Sequence, residues 1–250
     1  LFFSWIMVYV VGAQEQITEV SVKTWIFLVL SGAATGASWL CYFRALQIGD
    51  VNKVVPIDKS STILTITLAF IFFKEEISPL KLVCVVFIAI GTYMMITKKE
   101  NSGEIPDKSQ GSHSYLFYAV LSAVFASFTS ILGKMGMEQI NSNLGTAIRT
   151  IVVLIMAWIV VFVTGKQNTL KQIEKKELFF ICLSGFATGG SWLCYYKALQ
   201  DGLASVVVPI DKLSIVVTIV FSYIVFKEKL TMKSFAGLVL IIAGTLLMLV

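Results

Sequence analysis

The chain has 250 residues, 57% of them hydrophobic and 14% charged, and a mean hydropathy of +0.84 excludes a soluble domain of this length. The net charge of +5 comes from lysines flanking apolar runs, not from a basic stripe interleaved with aromatics, so nucleic acid is not an expected partner. No GxxxxGK[ST] loop is present, which argues against ATP hydrolysis by this chain.

Apolar runs of about 20 residues cross a ~30 Å hydrocarbon core as helices. Nine such runs are predicted: a partial one at 1–12, then about 25–47, 51–73, 80–97, 114–134, 144–164, 178–200, 204–226 and 232–250. Short polar turns join them, and only 98–113 (KKENSGEIPDKSQGSH) reads as a flexible linker. The expected class is an all-α integral membrane protein. Cys41, Cys84, Cys182 and Cys194 all fall within apolar runs and read as small buried hydrophobes. His113, the sole histidine, lies in the linker, so no disulfide, metal site or cofactor is expected.

Residues 184–229 repeat residues 31–76 without a gap at an offset of 153, with about 27 of 46 positions identical. Carried backwards, the offset aligns 1–12 with 154–165, matching Trp5 to Trp158 and Gly12 to Gly165. Residues 114–150 have no counterpart in the first copy, which predicts a five-plus-five layout whose first helix is missing from this chain. The division is a first repeat at 1–97, a polar linker at 98–113 and a second repeat at 114–250. An odd number of helices per copy orients the two copies oppositely, the tandem inverted repeat of secondary carriers, with a site near the midplane. Lysines crowd the side of the membrane bearing Lys98, Lys99 and Lys108, which by the positive-inside rule puts the linker in the cytoplasm.

At ~1.5 Å per residue, Trp39 and Lys59 lie about 4–5 Å from the middle of their runs, with Asp58 and Tyr42 slightly farther out. The offset gives Trp192, Tyr195, Asp211 and Lys212 the mirrored heights. Ionisable groups at such depth are costly and mark function by default. Aromatic walls with a few placed polar groups suit a solute cavity. Ser31, Thr35, Ser38 and Tyr42 share one helical face, repeated as Ser184, Thr188, Ser191 and Tyr195. Asp58, Ser61 and Thr65 share another, repeated as Asp211, Ser214 and Thr218. The hydroxyls suit interhelical hydrogen bonding as well as solute contact.

Asp58 and Lys59 are neighbours pointing about 100° apart, so crossed pairs, Asp58 with Lys212 and Asp211 with Lys59, are one arrangement; free lysines receiving an anionic solute are another. Pro56 and Pro209 remove a backbone donor about six residues into their runs and favour kinks. Gly32 with Gly36, and Gly185 with Gly189, are small-xxx-small pairs for close helix packing. Arg44 and Lys197, near helix ends, read as snorkelling, Arg149 as a second candidate anion contact, and Glu75 and Glu228 as solvated turns.

The SGxATGxSWLCYxxALQ and VVPIDKxS segments, the Glu-containing turn and the Gly91-Thr92 and Gly244-Thr245 pairs resemble the EamA-type branch of the drug/metabolite transporter superfamily over essentially the whole chain. The resemblance implies a ten-helix secondary carrier with alternating access that moves metabolites such as amino acids, often outward. It also implies that 25–47, 51–73, 178–200 and 204–226 line the cavity. Three features depart from the family pattern: only nine runs are present, Lys74 and Lys227 stand where a glycine usually precedes the glutamate, and the family's cytoplasmic termini oppose the lysine count.

The sequence therefore predicts a non-enzymatic transporter of a small-molecule solute in a bilayer, at the plasma membrane of a bacterium. Two alternatives are a non-transporting membrane scaffold, which needs no mid-depth charges, and an enzyme on lipid-linked substrates, which needs a mid-depth acid/base or metal constellation that the chain lacks.

Overall fold

The computed structural model describes residues 1–49, 54, 57–58, 60–75, 78–96, 114–165, 167–168, 173–214, 216–217, 220–221, 224 and 231–248, with side chains for all but 95, 96 and 212. Among these residues the regular structure is helical: α1 (Phe2–Val11), a 3-10 turn (Ala13–Glu19), α2 (Val22–Ile48), α3 (Ser61–Phe73), α4 (Pro79–Ile96), α5 (Ser114–Gly136), α6 (Ser142–Val163), α7 (Lys175–Asp201), α8 (Ala204–Lys212) and α9 (Met232–Leu247). Four of them, α2, α5, α6 and α7, are long and apolar enough to cross a membrane. Pro56, Lys59, the Lys212 side chain, Thr218, Glu228 and the 98–113 linker lie outside the described residues. The crossed Asp–Lys pairs therefore lie outside them as well.

The helix ends follow from local chemistry. The Asn141 side chain accepts from the backbone N–H of Asn143 at 2.9 Å to start α6, and Thr231 accepts from the N–H of Ser234 at 3.1 Å to start α9. At the other end, α1 and α6 run out into Gly12 (φ 72°) and Gly165 (φ 67°), left-handed positions that only glycine occupies at little cost. These two glycines are the pair that the repeat aligned, so the copies share a stop signal in backbone geometry as well as in sequence.

The chain forms two compact units, residues 1–36 with 128–202 and residues 37–127 with 203–250, each drawing on both halves of the sequence. In the first unit α1 packs on α6, and α6 packs on α7. A Cβ added at Gly32 would stand 2.8 Å from Val152 Cβ and 2.9 Å from the Arg149 carbonyl oxygen, and one at Gly36 would stand 2.7 Å from Met156 Sδ. The small-xxx-small pair thus seats α2 directly on α6. The repeat-related pair does not behave alike: Gly189 faces Phe3 at 3.0 Å, while Gly185 faces open space.

In the second unit the dominant contact is α4 against α9. A Cβ on Gly91 would meet the Gly237 carbonyl oxygen at 2.5 Å and Ile241 Cγ1 at 2.9 Å; one on Gly244 would meet the Cys84 carbonyl oxygen at 2.9 Å and Ile88 Cγ1 at 3.1 Å. Cys84 and Gly237 are separated by the repeat offset, as are Ile88 and Ile241, so the contact is reciprocal between the copies. Ile66, Cys84, Ile88 and Met248 close the core there.

Candidate functional site

Arg149 stands in the second turn of α6, at the end of a segment, 144–149, whose side chains are all buried, and is itself only 3% exposed. Its Nε–H donates to Ser31 Oγ at 2.8 Å, and an N–H of its second terminal nitrogen donates to Thr35 Oγ1 at 2.9 Å. Ser31 in turn donates to the Thr129 carbonyl at 2.6 Å, and Thr35 to the Ser31 carbonyl at 2.9 Å, which fixes both hydroxyls with their lone pairs on the guanidinium. Tyr196 lies beneath it, ring centroid 4.0 Å from Cζ, and Trp192 beside it at 5.3 Å.

The two rings are stacked 5.4 Å apart, at i and i+4 on α7, and Tyr195 meets the Tyr196 ring edge-on at 5.2 Å. The Tyr195 hydroxyl shares a 2.8 Å hydrogen bond with Ser130. Among the described residues no carboxylate pairs with Arg149; its titratable neighbours are the phenols of Tyr195 and Tyr196.

Arginine keeps its charge under physiological conditions, so this is a full cation inside an apolar helical unit. Insertion scales put an arginine at mid-span at about +2.5 to +3.5 kcal/mol. A desolvated cation–π contact returns about 2 kcal/mol, and a hydrogen bond from a charged group about 1.5–3 kcal/mol. The rings and hydroxyls hold the cation without neutralising it.

The second unit holds an acidic counterpart. Asp58 Oδ1 accepts a 2.8 Å hydrogen bond from Ser122 Oγ on α5. Ser122 Oγ is also 3.1 Å from the Ser38 carbonyl, and Ser38 donates back to the Ser122 carbonyl at 3.1 Å. The single Ser122 proton is best placed on the nearer acceptor, Asp58 Oδ1. Ser61, one turn on, is buried. Tyr42 packs on the cluster of Ala45, Val54 and Ala119.

The remaining sequence-predicted positions are dispersed. Trp39 is 44% exposed on α2. Asp211 is half-buried on α8, and Ser214 beyond it is exposed. Pro209 is buried inside α8. Trp192 and Tyr195 are the expected residues that the fold brings to the buried cation.

Several expectations are corrected. Ser184, Thr188 and Ser191 are exposed, whereas Ser31, Thr35 and Ser38 are buried, because α5 covers the α2 face through Thr129 and Ser122 and no described helix covers the α7 face in the same way. Cys182 and Cys194 are exposed on α7; only Cys84 is buried. Lys197, exposed near the end of α7, also pairs with Asp201 at 2.9 Å, i to i+4.

Glu75, expected in a solvated turn, is 8% exposed. It accepts from the backbone N–H groups of Ala204 at 2.9 Å and Ser205 at 3.1 Å, capping α8 from the end of α3. Lys74, at φ 51°, makes the left-handed step that turns the chain inward there. Tyr196 is not among the sequence-predicted residues, although its i+4 spacing from Trp192 puts both on one face.

A family model described as the EamA-like transporter family matches residues 1–97 and 113–250. An uncharacterized transporter in the cobO 3' region of Sinorhizobium sp is 43% identical over 137 residues, 55% of this chain and 97% of that protein. The human solute carrier family 35 member G1 is 27% identical over 225 residues, 88% of this chain but 60% of that longer protein. A crystal structure at 11% identity superimposes with a TM-score of 0.69 over 99% of this chain and 98% of the other, a likeness of fold alone. The chain thus belongs to the EamA-like transporter family, an integral membrane protein built for transport across the bilayer.

Proposed function

We propose that this protein is a secondary carrier, not driven by ATP, that moves small organic metabolites across a bacterial cytoplasmic membrane by alternating access, as an exporter or exchanger. The observation that carries the reading is the retention of ionisable side chains inside apolar helical units: Arg149 on Ser31 and Thr35, and Asp58 on Ser122. A scaffold gains nothing from such groups, which are expensive in lipid and typical of solute and ion pathways. The name of the human relative, a solute carrier, points the same way.

The reciprocal α4–α9 contact supports an inverted repeat, since a two-fold axis relating the copies generates that pairing of residues. The substrate-binding set in this reading comprises Trp39, Tyr42, Asp58, Lys59, Ser61, Trp192, Tyr195, Asp211, Lys212 and Ser214, with Pro56 and Pro209 as the kinks. The repeats divide at the 98–113 linker.

The test is flux in proteoliposomes without nucleotide, over a panel of amino acids, organic acids and organic cations, for wild type beside Asp58→Asn and Asp211→Asn. Saturable flux of one solute class, reduced in the variants, is the expected result. Folded protein that moves no member of the panel under a pH gradient of either sign would overturn the carrier reading in favour of a scaffold.

A further inference from the structure

We infer that Arg149 is the receptor for an oxyanion, the carboxylate or phosphate end of an organic solute whose planar or apolar body lies along Trp192 and Tyr195. The inference rests on the carrier reading above and names the charge class of the solute.

Four observations lead to it, all within one compact unit. The guanidinium is buried, and among the described residues no carboxylate neutralises it. Its fixed partners, Ser31 and Thr35, are neutral hydroxyls whose own protons are committed to the Thr129 and Ser31 carbonyls, so they orient the guanidinium without cancelling it. Tyr196 covers one face of the guanidinium plane and holds it flat. Trp192 and Tyr195, in contact with each other and only half-buried, extend the aromatic surface from the cation towards the outside of the unit.

A guanidinium fork presents parallel N–H groups that match a carboxylate or phosphate in two-point contact. A structural arginine in lipid pairs with an acidic side chain or with backbone carbonyls. Here aromatic rings occupy that position, and rings attract cations while leaving the net positive charge available to a ligand. The same arrangement discriminates against an organic cation, which would meet like charge in a low-dielectric site.

The experiment compares four probes sharing a benzene body: benzoate, phenyl phosphate, benzylamine and benzyl alcohol. Binding is measured to the protein in lipid nanodiscs, for wild type, Arg149→Lys and Arg149→Gln, with helicity and melting temperature recorded for each. In wild type, benzoate or phenyl phosphate is expected to bind and the amine and alcohol to bind far more weakly; which anion binds tighter separates carboxylate from phosphate solutes. Arg149→Lys, which keeps the charge but loses the fork, is expected to weaken anion binding about 10- to 100-fold, and Arg149→Gln to abolish it.

Benzylamine binding as tightly as the anions in wild type, or undiminished anion binding in folded Arg149→Gln, would overturn the inference. The wild-type comparison decides even where a variant fails to fold. Failure of the carrier reading is distinct: it appears as absent flux in proteoliposomes, with the binding panel unaffected.

Discussion

Glu75 offers the sharpest energetic test of the architecture. Its two carboxylate oxygens each take one backbone N–H at the start of α8, at 2.9 and 3.1 Å, with the side chain almost entirely buried. Glu75→Gln keeps the shape but substitutes a donor for one acceptor. One of the two N–H groups then faces an NH2, and a buried unsatisfied donor costs about 1–3 kcal/mol. Loss of the negative charge at a helix N-terminus adds up to about 2 kcal/mol in a partly buried setting. The expected destabilisation is about 2–4 kcal/mol, measured by reversible unfolding in mixed micelles titrated with a denaturing detergent.

A double-mutant cycle isolates the cause. Ala204 is the first residue of α8 and follows the extended Leu203, so proline is tolerated there while removing one of the two donors. In an Ala204→Pro background the cost of Glu75→Gln should fall by about 1–2 kcal/mol. Additive effects, or a single-mutant cost under about 0.5 kcal/mol, would refute the capping account and return Glu75 to a solvated turn.

Two further perturbations follow from the packing. Gly91→Val and Gly244→Val each drive a side chain into the backbone of the facing helix, and overpacking of this kind costs about 1–3 kcal/mol; unfolding titrations should give both variants similar losses because their contacts are reciprocal, and a loss in only one would contradict that symmetry. Ser122→Ala removes the 2.8 Å donor to Asp58 and the link to Ser38. Interhelical bonds in membranes average about 0.6 kcal/mol, so stability should fall by about 1 kcal/mol, whereas flux should fall more steeply if the Asp58 carboxylate is oriented for solute or ion; equal, small effects on both would make the bond structural.

The run pattern of the sequence anticipated the helices because apolar length and turn chemistry are local properties. Each of the nine predicted runs overlaps a described helix, and the Gly12–Gly165 alignment reappears as paired left-handed helix ends. What the sequence did not reveal depended on which distant element covers a given face. Ser31 and Ser184 sit in nearly identical segments, yet one is buried under α5 and the other is exposed. Periodicity states that residues share a face, not what lies against it.

The same limit explains Arg149 and Glu75. The Asp-Lys pairs are marked in the sequence by their duplication, whereas Arg149 has no repeat partner to mark it. Its Ser31, Thr35, Trp192 and Tyr196 surroundings come from segments 40 to 120 residues away. Glu75 sat beside Lys74 at the end of an apolar run, the signature of a solvated turn. Its amide partners lie 129 and 130 residues further on.

The most direct test of alternating access is counterflow. Proteoliposomes loaded with an unlabelled excess of the solute that wild type carries are diluted into a trace of the labelled form, without nucleotide or an imposed ion gradient. A carrier that returns its site loaded accumulates label transiently above equilibrium, and that overshoot is the predicted result. Label that only equilibrates, at a rate indifferent to the solute inside, would contradict the account.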